Sequence, residues 1–529
     1  MTSNPPTQTP PSPPRILIVG GGLSGMATAV ALEQAGYQVT LLEARHALGG
    51  RAGSFSDPIT GTLLDSSQHV LLGCCVNLLD FYRRLGVTNL IQWQRQVHFL
   101  HVPATHHSHR RGGGKPIRRY DLWGLGALPA PLHMSLAFAG FGLLSISERL
   151  ALVRAMLAML RLGKAGREDL ESLSFGVWLA QHNQPATLTL KFYEPVLISA
   201  LNIPCERASA KYAIQVFQDA LLGHNRGYLV GLATCPLEQL YGQLPVNDVR
   251  LNTRVASLLW NGQRISGVRL QNGDELLADA VVLATNYHAV TKWVADLPIA
   301  ATHPDERLRG LRDIQSVPIL GAHLWFDRPV MPEPALAIVE GTGGDNHEDG
   351  GSSRSLEKSG LQWLFRKDAE GRAVQGVISA ATDYVDLPRE EILTRLSHQV
   401  ALIALGRSQS TAAKSSADAP FSNNSVAPKL LHGSIVIEKR ATFAPLPGVD
   451  KLRPLPGPGT VGVRGLYLAG DYTRTDWPAT MEGAVRSGYL AAEAVLSDAT
   501  PPPHHHPSSH RFLVEDLPVQ WPARWLGLQ

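Results

Sequence analysis

The stretch Arg15–Ala44, RILIVGGGLSGMATAVALEQAGYQVTLLEA, decides the fold. Ile16–Val19 is a short aliphatic, β-branched run, the composition of a strand buried on both faces. It runs into Gly20, Gly22 and Gly25, spaced G-x-G-x-x-G. The first glycine permits a tight turn, the second lets a pyrophosphate approach the backbone, and the third lets helix and strand pack closely. A helix from about Ser24 to Gln34 ends before Gly36, a capping glycine. Val39–Leu42 is the next strand, and Glu43 closes it where an acid can accept both ribose hydroxyls of an adenosine. Leu23, Ser24, Ala44 and Arg45 flank these positions and are candidate cofactor contacts. A glycine-rich turn alone can be merely structural. In the order strand, turn, helix, strand, acid it reads as a nucleotide site.

The chain as a whole sets the bounds. At 529 residues, and roughly 150 residues per domain, it has room for about three lobes. A 44% hydrophobic content supplies a sizeable core, and a net charge of +3 gives no global field for nucleic acid. Cys74, Cys75, Cys205 and Cys235 form no CxxC pair, which fits a reducing, cytoplasmic compartment. Residues 1–14, MTSNPPTQTPPSPP, read as a disordered tail. The glycines after Val19, and Glu33 beyond them, argue against a secretory leader.

The segment after the acidic strand selects the nucleotide. Gly49-Gly50-Arg51 resembles the second glycine motif of FAD proteins in the amine oxidase and phytoene desaturase superfamily. The resemblance implies that the backbone and Arg51 run along the diphosphate. It also implies that Val255 meets the adenine through its backbone. Around Val255, residues 249–286 read as strands broken by Asn261-Gly262 and Asn272-Gly273, both hairpin dipeptides. Near the C-terminus, GLYLAGDYTRTDWPATMEGAVRSGYLAAEAVL (Gly465–Leu496) has a strand at Leu466–Ala469. Gly470-Asp471 follow at its carboxyl end, where α/β sheets place ligands. A helix then starts near Thr480 and Met481, with Glu482 and Ala484 in its first turn and its N-terminal amides toward the flavin. Its small residues, among them Ser487 and Gly488, predict close helix packing.

The fold class expected is therefore α/β. A Rossmann-type FAD-binding domain (15–75, 246–300, 441–496) interleaves with a mixed α+β substrate domain (76–245, 301–440), as in the amine oxidase and GDP-dissociation-inhibitor-like two-domain fold. Residues 341–360 and 408–428 read as flexible insertions and 497–529 as a C-terminal tail.

Leu122–Leu144 contains no Asp, Glu, Lys or Arg, which raises a membrane-spanning reading that Pro129 and Pro131 oppose. Ser145 and Glu148 have capping-box spacing. Beyond them Leu150, Val153, Leu157 and Leu160 are assigned to one face, rimmed by Arg149, Arg154 and Arg161. That pattern suits a helix lying on a membrane surface, or a plain helical lid. His106, His107 and His109, and His504 to His506, have no acid or cysteine at ligand spacing, so no metal is expected.

Two further stretches are more specific. Lys191–Gly223 (KFYEPVLISALNIPCERASAKYAIQVFQDALLG) and Glu438–Pro454 (EKRATFAPLPGVDKLRP) resemble the squalene-associated FAD-dependent desaturases, the hydroxysqualene dehydroxylases. So do LDSSQHVLLG (Leu64–Gly73) and the Asp471 region. The resemblance implies reduction of hydroxysqualene, a long-chain triterpenoid, to squalene by reduced FAD. It also implies an electron donor the sequence does not name, and work at the inner face of the cytoplasmic membrane. A carotenoid desaturase is the nearest enzymatic alternative, and a non-catalytic prenyl-binding escort the alternative of another class. Candidates for the proton donor are His69 and Gln68, beside the second glycine motif, and Glu194 and Asp219, from the substrate stretch, with Tyr193 adjacent. The chain departs from the family at Ser66-Ser67, where Asn-Gly is usual, which puts a positive-φ backbone there in doubt.

Overall fold

The computed structural model describes residues 13–103, 117–299, 304–340, 360–412, 426–498 and 512–529. A five-stranded parallel sheet runs in the order Asp248–Arg250, Gln38–Leu42, Arg15–Val19, Ala280–Leu283, Leu466–Leu468. Strands from three separate parts of the chain thus form one sheet around the central Arg15–Val19, whose aliphatic side chains are all buried. Helix Leu23–Gln34 packs closely on the C-terminal helix Met481–Asp498. A Cβ on Gly488 would lie 2.4 Å from the Ser24 carbonyl, and Thr28 Oγ1 donates to the Gly488 carbonyl at 3.0 Å. The small residues of the C-terminal helix are required by that approach. Antiparallel strands Val255–Trp260, Ile265–Leu270 and Glu275–Leu277 turn at Gly262 and Gly273, at φ +96° and +95°.

The substrate domain is built on a seven-stranded mixed sheet that starts with Leu430–Phe443 beside Ser316–Phe326 and ends with Gln96–Val102 beside Arg118–Trp123. Helices Ile146–Glu168, Phe175–Gln181, Glu194–Leu201 and Ala210–Phe217 share an apolar core with part of that sheet. Phe175, Phe192, Tyr193 and Phe217 form its centre, with Phe175 and Phe192 edge-on to Tyr193 and Tyr193 edge-on to Phe217, the favoured geometry for buried rings. The α/β two-domain class expected from the sequence is the one observed.

Several details differ from expectation. Strand Leu430–Phe443 crosses the expected domain boundary at 440, because its ladder with Ser316–Phe326 continues to Phe443. Asp305 and Arg307 pair with each other and bond to Val463 and Leu466, so the turn Glu306–Arg312 packs on the cofactor side. Helix Arg389–Ala412 extends into the expected 408–428 insertion. The rest of that insertion to residue 425, residues 341–359, the tail to residue 12 and both histidine runs lie outside the described residues. Leu122–Leu144 is broken into the end of a strand, a single 3-10 turn and the short helix Ser135–Gly140. Among the described residues no helix is long and apolar enough to cross a membrane.

The Ser145 capping box is present with both of its hydrogen bonds, but the helix it opens does not bury the predicted stripe. Leu160 is buried, whereas Leu150 and Val153 are exposed. At 100° per residue Leu160 lies about 80° around the axis from Leu150, and the core side belongs to Ala151, Leu152, Ala155 and Met159.

Candidate functional site

The glycine loops are knit into one cradle. Gly20 N–H donates to the Leu42 carbonyl at 2.8 Å, and Gly49 N–H to the Gly21 carbonyl at 2.9 Å. Gly22 and Gly49 form a parallel bridge. Glu43 is buried at the end of its strand, with one carboxylate oxygen on Gly21 N–H (2.6 Å) and the other on Arg45 N–H (2.8 Å). Each oxygen keeps a lone pair, so the acid that shapes the loop can still accept from a ribose. Thr253 N–H bonds to the Glu43 carbonyl and Asn252 N–H to that of Arg45. That brings Val255, at the start of its strand, beside Glu43, Ala44 and Arg45.

The three loop glycines have different causes. A Cβ on Gly20 would lie 2.5 Å from the Ala284 carbonyl, and one on Gly25 only 1.9 Å from the Gly20 carbonyl, so the fold itself demands both. Gly22 has an ordinary extended backbone, φ −76° and ψ 177°, and a Cβ there would meet no atom within 4 Å. The chain does not need that glycine for its own packing. Glycine at Gly22 therefore fits a bound group that must come against the backbone. Helix Leu23–Gln34 has no side-chain cap and no acid in its first turn, so the amides of Leu23, Ser24 and Gly25 offer a site for an anion. The residues present fit a dinucleotide diphosphate.

Arg51 is held by partners within the protein. Its guanidinium grips Asp471 in two hydrogen bonds of 2.6 and 3.0 Å and also donates to the Ala441 carbonyl at 2.7 Å. The second glycine motif and the C-terminal motif are clamped together by their own charges. Gly470, at φ +153°, donates its N–H to Ser487 Oγ at 2.8 Å. Thr480 caps the helix that follows, accepting from Gly483 N–H at 3.0 Å, while Ala484 N–H bonds to its carbonyl. Met481 is the helix's first residue. The Glu482 side chain is engaged within the protein. It is fully buried, and its carboxylate accepts from the N–H groups of Asn77 and Leu78 and from Arg486, stabilising the start of helix Val76–Arg84.

The loop Ser66–His69 joins this cradle. Ser66 Oγ donates to the Arg51 carbonyl at 2.9 Å and Asp65 accepts from Ser54 and Leu237. Neither Ser66 nor Ser67 takes a positive φ, so the loop needs no glycine there. Gln68 accepts from Lys367 at 3.1 Å. His69 Nδ1 lies 3.0 Å from the Ser67 carbonyl, which can only accept, so Nδ1 carries the proton of the neutral ring and Nε2 is bare. Burial holds His69 below the usual histidine range, partly offset by the Ser67 bond and Asp65.

The other two catalytic candidates are placed elsewhere. Glu194 accepts from Cys205 N–H at 2.8 Å and holds a turn of the substrate domain. Asp219 pairs at 3.5 Å with Arg167 and 3.6 Å with Lys164, beneath the C-terminal segment. Their partners belong to the helical layer, so all four candidates do not converge on one centre.

A buried ionic cluster was not foreseen. Lys211 and Arg453 carry basic side chains, yet they are only 3% and 4% exposed. Asp450 bonds Lys211 Nζ at 2.7 Å, Tyr212 Oη and Arg453, and Arg453 also donates to Tyr212. The other arm of Arg453 reaches the carbonyls of Asp471 (3.1 Å) and Thr473 (2.5 Å) and Thr475 Oγ1 (3.0 Å). Burial opposes the ionisation of Asp450, but Arg453 and Lys211 outweigh it and hold the carboxyl below its usual range. The two family-like stretches meet here and fix the turn carrying Asp471. The available signal was charge within apolar sequence, Lys211 in AKYAIQVF.

Comparison with known proteins agrees with this geometry. Residues 23–496 match the family described as flavin containing amine oxidoreductase. A hydroxysqualene dehydroxylase from Sinorhizobium fredii is 27% identical over 501 residues, covering 92% of this chain and 99% of that protein. A 15-cis-phytoene desaturase from an Oncidium hybrid cultivar is 25% identical over 516 residues, covering 92% of this chain and 79% of that protein. Among solved structures, an oxidoreductase from Methanosarcina mazei superposes with a TM-score of 0.62 at 14% identity, over 91% of this chain and 100% of that one. The cofactor that the cradle fits is FAD.

Proposed function

The chain belongs to the flavin containing amine oxidoreductase family, and from that premise we propose that it reduces hydroxysqualene to squalene in squalene and hopanoid formation. The carbon–oxygen bond breaks, the oxygen leaves as water after protonation, and a hydride takes its place. Reduced FAD supplies that hydride. The observation that carries this reading is the end-to-end match to the dehydroxylase, whose own length the chain covers almost completely, together with the Lys191–Gly223 and Glu438–Pro454 stretches. The intact cradle disfavours a non-catalytic escort, and the phytoene-type desaturase is the reading that the experiment must separate. The enzyme would act at the inner face of the cytoplasmic membrane, where a long-chain terpenoid resides. Its electron donor is a separate partner.

The chain's own contribution is the proton and the dry apolar site. His69 is the donor we favour, because its loop is bonded to Arg51 of the cradle. With Nδ1 committed to Ser67, Nε2 is the atom that takes up and releases the proton. A histidine held below its usual range is charged only in acid, so turnover is expected to rise as pH falls below neutral. His69→Ala should keep FAD bound, slow turnover by roughly 100-fold and abolish that pH dependence. Unchanged turnover would leave the loop purely architectural. For the reaction itself, chemically reduced enzyme incubated anaerobically with hydroxysqualene should form squalene. Absence of squalene, with desaturation of phytoene by the oxidised enzyme, would establish the desaturase instead.

A further inference from the structure

The C-terminal segment 512–529 runs across both domains. Phe512 and Leu513 N–H groups bond to Glu493, at 2.7 and 2.9 Å, and Val514 N–H to Asn77 at 2.8 Å. Asp516 pairs with Arg486 of the cofactor side and, at 3.3 Å, with Lys164 of the substrate side. Gln520 then accepts from the N–H groups of Ala130 (2.6 Å) and Asn225 (3.0 Å), and Lys164 N–H bonds to the Gln529 carbonyl at 3.1 Å. A segment held this firmly has no structural reason to expose aromatic rings. Yet helix Trp521–Trp525 buries Pro522 and Ala523 and leaves Trp521 and Trp525 63% and 86% exposed.

The chain that follows those two rings meets a helix with an exposed apolar face of its own. A Cβ on Gly527 would lie 2.9 Å from Arg161 Cα, so the chain just after the short helix abuts helix Ile146–Glu168 near Arg161. That helix shows Ile146, Leu150 and Val153 to the outside, 73%, 57% and 48% exposed, one turn apart along a single face. The neighbouring segment held by Gln520 at Ala130, and by Arg149 at the Ala139 carbonyl, exposes Leu128, Leu132 and Leu136. Among the described residues, the charges left without an ion pair on these two helices are all arginines. Arg154, Arg161 and Arg524 are exposed and form no ion pair among the described residues, and Glu148, the first-turn acid, is buried against Lys191. A soluble partner would need acidic residues placed opposite each arginine, whereas an anionic bilayer supplies an apolar interior and counter-charge together. Exposed tryptophans at the rim of an apolar, arginine-edged surface match the boundary between acyl chains and anionic headgroups.

We propose that the Trp521–Trp525 helix and the outer face of Ile146–Glu168 form one surface that docks in the plane of an anionic bilayer. The C-terminal segment is therefore a membrane-contacting element as well as a strap between the domains. This deepens the membrane-surface part of the proposed function and rests on it.

The test is flotation of the FAD-loaded full chain with phosphatidylcholine vesicles, with and without phosphatidylglycerol. The wild type should float with the anionic vesicles, and high salt should weaken this. Leu150→Ser/Val153→Ser and Trp521→Ser/Trp525→Ser should each lower the bound fraction about tenfold with the flavin spectrum unchanged. A wild type that stays unbound, or variants that bind equally well, would overturn the proposal. So would a lipid-free dimer that the same substitutions dissociate, since the surface would then join two copies. No substrate enters this assay. Turnover of detergent-dispersed hydroxysqualene without flotation removes docking alone, and flotation without turnover removes the reaction alone.

Discussion

Gly22→Val is expected to yield a folded protein that is isolated colourless. The residue's backbone angles suit any amino acid, and its Cβ direction is open, so the substitution costs the apoprotein little beyond a weaker helix cap. The same side chain fills the space through which the diphosphate approaches the amides of Leu23 and Ser24. FAD affinity should fall at least roughly 100-fold, or about 2.7 kcal/mol. Equilibrium titration with FAD reads the affinity, and far-ultraviolet circular dichroism reads the fold. Gly25→Ala is the contrasting control. Its Cβ would overlap the Gly20 carbonyl at 1.9 Å, so it should lose both the flavin and much of the folded protein. A yellow Gly22→Val protein of normal affinity would mean that the cofactor does not cross the first glycine loop.

Arg453→Met should destabilise the enzyme more than any surface substitution. The variant keeps the volume but strips Asp450 of one cation, leaves Tyr212 without its donor, and abandons the carbonyls of Asp471 and Thr473. Breaking a buried ion cluster in this way costs on the order of 3–5 kcal/mol, because the remaining charges stay buried. The thermal midpoint of the holoprotein should fall markedly, with earlier flavin release on heating, since the Asp471 turn loses its support. Lys211→Met should have the same sign. A depressed carboxyl such as Asp450 contributes fully above its unfolded pKa, and the contribution fades as pH falls through the folded value. The wild type should therefore lose midpoint in acid faster than Arg453→Met. Equal slopes would show that the cluster does not stabilise the ionised acid.

The cofactor half of this protein was legible because its information is local. Ile16–Val19, the three glycines, Glu43 and Gly470-Asp471 each declare themselves by neighbours within a few residues, and the sheet assembles them as expected. Helix Ile146–Glu168 shows where local reading stops. Its start was plain from Ser145 and Glu148, but which apolar stripe faces inward depends on what packs against it. Leu150 and Val153 are left outside because Ala151, Leu152, Ala155 and Met159 fit the core side.

The sequence by itself determined a nucleotide-binding α/β chain, the order of its cofactor segments and its likeness to flavin enzymes. Hydrogen-bonding turns, glycine spacing and strand composition act over one or two turns of chain, and one sequence displays them. Only the tertiary structure decided that Arg51 grips Asp471, that Glu482 holds another helix, that Glu194 and Asp219 serve the helical layer, and that Lys211, Asp450 and Arg453 meet. Those side chains come from positions far apart in sequence. Their partners are chosen by burial, because a charge removed from water binds whatever counter-charge the folded core brings within reach.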